Sequence, residues 1–124
     1  MLRFPLRVYA DTSVFGGVFD DEFAAASRRF FDRATTGAFR LVTSPLVEAE
    51  LADAPANGWQ FAEPMLDLAE EALITDEVLQ LQGACLRAGI VGGRRAGDAL
   101  HVALAATAGC AVIVSWNFRH IVHL

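Results

Sequence analysis

The chain has 124 residues, a mass of 13.4 kDa and a formal charge of −5. With 54% hydrophobic and 20% charged residues, it can build a core, which excludes a wholly disordered chain and fits one compact domain. No apolar run approaches the roughly 18 residues of a membrane helix, the N-terminal MLRFPLRVYAD turns polar too early for a signal-peptide core, and Cys85 and Cys110 sit far apart in apolar context, so a cytoplasmic protein with two buried free thiols is expected.

Leu6–Ala10 predicts a short strand that ends at Asp11-Thr12-Ser13. Asp20 and Asp21 can cap a helix running to about Thr36. Its apolar stripe is Phe23, Phe30, Phe31 and Ala34, and Gly37 stops it. Phe39–Thr43 predicts a second strand. Ser44-Pro45 opens a helix, with serine as N-cap and proline in the first turn, which ends near Ala54-Pro55. A further helix is predicted over Trp59–Glu71, broken or kinked at Pro64. Ala72–Thr75 predicts a short strand, and Asp76–Ala88 a helix closed by Gly89. Gly92-Gly93 marks a loop. Arg95–Thr107 predicts a helix that is apolar nearly all round and therefore buried, ended by Gly109. Ala111–Val114 is an all-apolar strand, as central parallel strands are. Alternating strands and helices imply an α/β sandwich around a parallel sheet. In such sheets ligands sit beyond the carboxyl ends of the strands.

All ten basic residues are arginine, so no lysine can serve a P-loop or form a Schiff base. GxGxxG, GxSxG and HExxH are absent. The negative net charge argues against broad, non-specific polyanion binding. Chemistry must come from carboxylates, hydroxyls, three histidines and arginine.

Three acids occupy telling positions. Asp11 ends the first strand, where it serves either as a turn former or as a site acid. In Ser44–Ala54, at about 100° per residue, Glu50 falls within the stripe of Leu46, Val47, Leu51 and Ala54, whereas Glu48 falls opposite and is expected to be solvated. A core-side Glu50 needs a partner or a cation; the plainer reading is a helix-edge carboxylate that swings to water or an arginine. Asp98 stands in the first turn of the last helix, where an anion suits the macrodipole, yet it shares a face with Val102 and Ala105. Clustered carboxylates repel unless protonated or bound to a cation. With no cysteine or histidine group beside them, the ligands are all oxygen, which suits Mg2+ or Mn2+ and phosphoryl chemistry.

Four segments, VYADTSVF, TSPLVEAEL, GDALHVALA and VIVSWNFRHI, run from Val8 to Ile121. In order and spacing they resemble the PIN domain, and within it the VapC-type toxins of toxin–antitoxin pairs. The resemblance implies a three-layer α/β/α sandwich with a short, mainly parallel central sheet, a single domain over residues 1–124, and a metal-dependent endoribonuclease. It matches the family's first aspartate to Asp11, its helix glutamate to Glu50 and its third acid to Asp98. Asn117 stands at the fourth position, which is often aspartate. Ser13 or Thr12, and Ser115, match the family's supporting hydroxyl residues. There are two departures. Asn117 is neutral, which weakens a second metal position. The chain also ends at Leu124, about where family members add a last strand.

Arg94 and Arg95, after Gly92-Gly93, and Arg119 are candidates for RNA phosphates or are plain solvated charges. His101, one turn after Asp98, reads as a hydrogen-bonded core or site-wall residue ahead of a metal ligand. His120 and His123 have no evident partner. Trp116 reads as packing ahead of base stacking. The phenylalanines at 15, 19, 23, 30 and 31 are mostly core, with a surplus that suits a homodimer or antitoxin surface.

Three functions compete. One is a toxin endoribonuclease that cuts an RNA substrate and is blocked by an antitoxin. Another is a catalytically weakened PIN-fold module that binds RNA or a protein partner without cleaving. The third is a different metal-dependent phosphohydrolase. The haloacid-dehalogenase signature needs a second aspartate two positions after the first, and Ser13 stands there.

Overall fold

The computed structural model describes residues 5–89 and 96–117. β1 (Arg7–Ala10) leads into α1 (Thr12–Gly17) and α2 (Ala24–Thr35). β2 (Arg40–Thr43), α3 (Pro45–Ala52), α4 (Ala56–Leu68) and β3 (Glu70–Glu71) follow. The chain continues through α5 (Asp76–Ala88), α6 (Ala96–Thr107) and β4 (Val112–Val114). The four strands form one parallel sheet in the order β3-β2-β1-β4. Tyr9 and Ala10 point to opposite faces of β1 and both are fully buried. Both faces of the sheet are therefore covered, giving an α/β/α sandwich. On one side α1 to α4 contact one another, and on the other α5 packs along α6.

Local signals explain most of these elements. Ser44 accepts a hydrogen bond from the Val47 N–H and Thr75 from the Val78 N–H, so each caps its helix. Gly89 ends α5 in the left-handed region, at φ 67°. Phe15 and Phe31 meet at 4.8 Å between ring centroids, and Phe31 also meets Phe61 edge-on at 5.2 Å. Each such buried aromatic contributes on the order of 1.5–3 kcal/mol.

Several predicted elements differ from the structure. Asp11-Thr12-Ser13 is the start of an extra helix, α1, because Asp11 acts as its N-cap. α2 begins at Ala24, while the Asp20 side chain accepts the Glu22 N–H and its carbonyl the Phe23 and Ala24 N–H groups. α4 runs unbroken through Pro64, since Phe61, Ala62, Met65 and Leu66 hold it on the core. The third strand is Glu70–Glu71 and not Ala72–Thr75. Leu73 and Ile74 are exposed, and Thr75 is committed to capping α5. Cys110 is only half-buried, whereas Cys85 is buried, and both are free. Of the five phenylalanines, Phe15 and Phe31 are buried, Phe23 and Phe30 are half-buried, and only Phe19 is exposed. The Gly92-Gly93 loop lies outside the described residues.

Where α1 ends, the packing leaves no space. A Cβ on Gly17 would sit 2.6 Å from Trp116 Nε1. The indole cannot yield, because it stacks on Phe23 at 5.1 Å and 6° and donates to Ser27 Oγ at 2.9 Å. Gly17→Ala should therefore destabilise the fold by about 1–3 kcal/mol, read as a lower urea midpoint. Gly16→Ala, with nothing within 4 Å of its Cβ position, should change it little.

Candidate active site

The acids are assembled from the strand ends outward. Asp11 leaves the carboxyl end of β1 with its N–H bonded to Val114 O at 3.1 Å. It is 2% exposed. Its Oδ1 accepts the Ser13 N–H at 3.0 Å and the Ser13 hydroxyl at 2.5 Å. Ser13 Oγ accepts the Trp116 N–H at 2.9 Å and lies 3.5 Å from Ser115 Oγ. Ser115 Oγ accepts the Asn117 N–H at 3.0 Å. The exits of β1 and β4 are thus joined by hydroxyls at the positions matched from the sequence, and Asn117 itself is exposed.

Glu50 is presented by α3. Its Oε1 accepts the Thr12 hydroxyl at 2.5 Å and a hydrogen bond from His101 Nε2 at 2.8 Å. The helical position predicted a core-facing acid. The side chain lies at the helix edge, as the plainer reading had it, 41% exposed, and it hydrogen-bonds a hydroxyl and an imidazole and no arginine. The hydrogen bond from His101 holds the Glu50 carboxyl below the usual range, partial burial opposes that, and Thr12 adds to it. Glu50 therefore carries its negative charge at neutral pH.

Asp98 stands in the first turn of α6, half-buried, with Oδ2 inaccessible to solvent. A Cβ on the preceding Gly97 would lie 3.9 Å from Glu50 Oε2, so the start of α6 adjoins Glu50. Thr12, next to Asp11 in the chain, bridges to Glu50. Among the described residues, no three carboxylate, imidazole or thiol groups are gathered closely enough to grip a cation by themselves. What Asp11 and Glu50 share is a division between their oxygens. One oxygen of each receives two hydrogen bonds, while among the described residues Asp11 Oδ2 and Glu50 Oε2 receive none. An open, all-oxygen arrangement of this kind fits a hard divalent cation that keeps several waters and takes only one or two carboxylates. Arg94, Arg95, Arg119, His120 and His123 lie outside the described residues.

His101 is a buried, hydrogen-bonded histidine, 3% exposed. Its Nδ1 lies 2.7 Å from Tyr9 Oη, which lies 2.8 Å from Ser44 Oγ. Sequence reasoning missed Tyr9 and the second role of Ser44. A signal existed, since Tyr9 is the sole tyrosine and sits at an inward position of a core strand. A buried phenol needs a polar partner.

Glu48 corrects the helix reading in the other direction. It is half-buried beside Glu71, so it is only partly solvated. Desolvation, and after it the charge and hydrogen bond of Glu71 on β3, push its carboxyl above the usual range. A carboxyl raised by folding favours the fold when protonated and loses that advantage as pH rises through its folded value. Glu48→Gln should therefore raise the melting temperature at pH 7 by an amount that shrinks steadily toward pH 4. A constant offset across that range would show that Glu71 does not act on Glu48 through charge.

The model of the PIN domain family matches residues 8–120. Comparison with curated proteins finds no match. Among solved structures, the chain is similar to one described as VapBC2 from Rickettsia felis bound to a DNA fragment from their promoter. The TM-score is 0.66 at 13% identity, over 92% of this chain and 90% of that one. The likeness to that structure is one of fold, whereas the family match spans nearly all of β1 to β4 and every acid discussed above; the chain belongs to the PIN domain family.

Proposed function

We propose that the protein is a Mg2+- or Mn2+-dependent endoribonuclease of PIN type and the toxin of a toxin–antitoxin pair. The observation that carries this reading is the shared division of labour in Asp11 and Glu50. Each has one oxygen fixed by protein donors and one left unbonded among the described residues, beside the first turn of α6 and Asp98. Asp11, Glu50 and Asp98 would hold the cation, with Asn117 as a neutral fourth group. A bound divalent cation supplies an activated water and offsets charge on phosphate oxygens. The chain's own part is to keep Glu50 ionised, to orient Asp11 through Ser13, and to hold the β4 exit against β1 through Ser115. Without lysine, phosphate contacts fall to arginine, with Arg94, Arg95 and Arg119 as candidates. An antitoxin partner is supported by the fold likeness to a VapBC2 complex. A homodimer and a cytoplasmic setting complete the proposal. No helix among the described residues is long and apolar enough to cross a membrane.

A second reading, a PIN module that binds RNA or protein without cutting, is favoured by the exposed, neutral Asn117 and by the lack of a gathered three-ligand cluster among the described residues. One experiment separates the two. Structured RNAs incubated with and without Mg2+ should be cut only with the metal, and not by the triple variant Asp11→Asn, Glu50→Gln, Asp98→Asn. RNA retention without cleavage in both proteins would favour the binding module.

Asp11→Asn alone should weaken Mn2+ binding by more than the roughly 10- to 100-fold typical of an outer-shell partner, as measured by calorimetry. Asn117→Asp should tighten it in the free protein, because it adds a formal charge to the site. Unchanged affinity in Asn117→Asp would mean that the fourth position takes no part in binding.

A further inference from the structure

The acids of the site are not the whole of its buried polar chemistry. Tyr9, fully buried, and His101, 3% exposed, sit behind Glu50 in a continuous chain of hydrogen bonds. It runs from Ser44 Oγ to Tyr9 Oη at 2.8 Å, on to His101 Nδ1 at 2.7 Å, and from His101 Nε2 to Glu50 Oε1 at 2.8 Å. Both ends of this chain belong to one helix. Ser44 is the N-cap of α3, and Glu50 stands roughly 9 Å further along its axis. The strap therefore leaves α3 at its start, crosses β1 and α6, and returns to α3 at its acid.

The carboxylate fixes the direction of the bond at its end of the strap. A carboxylate only accepts, so His101 Nε2 carries its hydrogen toward Glu50. Nδ1 then faces the Tyr9 hydroxyl, and Tyr9 Oη faces the Ser44 hydroxyl, each within hydrogen-bond distance. Ser44 Oγ still accepts the Val47 N–H at 3.4 Å. Burial pushes the Tyr9 phenol far up, which keeps its proton available for donation. Each polar group in the strap has a hydrogen-bond partner.

We propose that His101, held in orientation by Tyr9, is a positioning residue: it fixes Glu50 Oε1 to the protein so that Glu50 Oε2 is presented to a divalent cation. This deepens the reading of the site as a metal-dependent nuclease centre and rests on it. Thr12 shares the task at the same oxygen. Gly97 adjoins Oε2 on the other side, where a Cβ would make an ordinary contact at 3.9 Å. Imidazole is suited to this role because it is rigid and offers two nitrogens on opposite edges. One can be anchored in the core while the other orients the acid.

The test compares two substitutions of similar size and polarity. In His101→Gln the side-chain amide can occupy the place of Nε2 and still donate to Glu50. In His101→Asn it can occupy only the place of Nδ1, which keeps Tyr9 and loses Glu50. Mn2+ affinity by calorimetry should stay within about three-fold of the wild type for His101→Gln and fall at least about ten-fold for His101→Asn. Tyr9→Phe, which frees the ring to rotate, should fall between them. Melting temperatures should not follow this order, because both His101 variants break one buried hydrogen bond. Equal Mn2+ affinity in His101→Gln and His101→Asn would overturn the proposal. Crystal structures of both metal-free variants give a readout that does not depend on binding. Glu50 should keep its contact with Thr12 in His101→Gln and leave it in His101→Asn, and an unmoved Glu50 in His101→Asn would also overturn the proposal. Should the wild type fail to bind Mn2+ while Glu50 still moves in His101→Asn, the nuclease reading falls and the positioning role stands.

Discussion

β1 is held from both sides, and the site at the head of the sheet inherits its geometry from that constraint. Its residues pair with β2 on one edge and β4 on the other, and Tyr9 and Ala10 have no exposed surface. The strand can neither slide nor twist without breaking two ladders and opening the core. Asp11 is the first residue beyond it, and its N–H extends the ladder to Val114. A carboxylate in that position has almost no freedom. Thr12 and Ser13 follow at once, so their hydroxyls are delivered to Glu50 and Asp11 by the same constraint. Tyr9, two residues before Asp11, reaches His101 and Ser44.

The charges of the sheet are sorted in a manner that favours ligand capture at this end. Near the start of β1, Arg7 and Arg40 engage Glu70. At the other end, among the described residues, the donors to Asp11 and Glu50 are hydroxyls, a backbone amide and an imidazole, and no arginine pairs with either acid. The difference matters energetically. A guanidinium would orient a carboxylate and also neutralise it, whereas hydroxyl and amide donors orient it and leave the negative charge in place. Holding Glu50 ionised in this way preserves its attraction for a cation at the expense of some desolvation.

Much of this arrangement was legible in the sequence, and the exceptions have physical causes. Asp76–Ala88 was readable to the residue, with Gly89 marking its end, although Thr75, read as the close of a strand, is its N-cap. Asp11, Glu50 and Asp98 stood out as acids at strand ends or on apolar helix faces, and the family match covers all three. The phase of α3 was less informative. It is only eight residues long, and apolar residues lie nearly all round it, so the wheel could not tell an inward carboxylate from one at the edge. Glu48 was misread because its environment comes from Glu71, a residue of a different element. The third strand was misplaced because Leu73 and Ile74 look like strand residues by type, whereas the sheet takes two glutamates instead. His101 was visible as a hydrogen-bonded residue and Tyr9 was missed, because their pairing is long-range and no periodicity encodes it.

The short third strand has a consequence for how copies of this protein meet. β3 closes one side of the sheet with only Glu70 and Glu71. An approaching strand would find at most one or two rungs of backbone groups there. It would also meet two carboxylates, one already engaged by Arg7 and the other crowded by Glu48. Open sheet edges are the usual template for runaway association between chains. Here that flank is blunted by its brevity and by its charge together, so the fold can keep a flat parallel sheet without seeding fibres from this side.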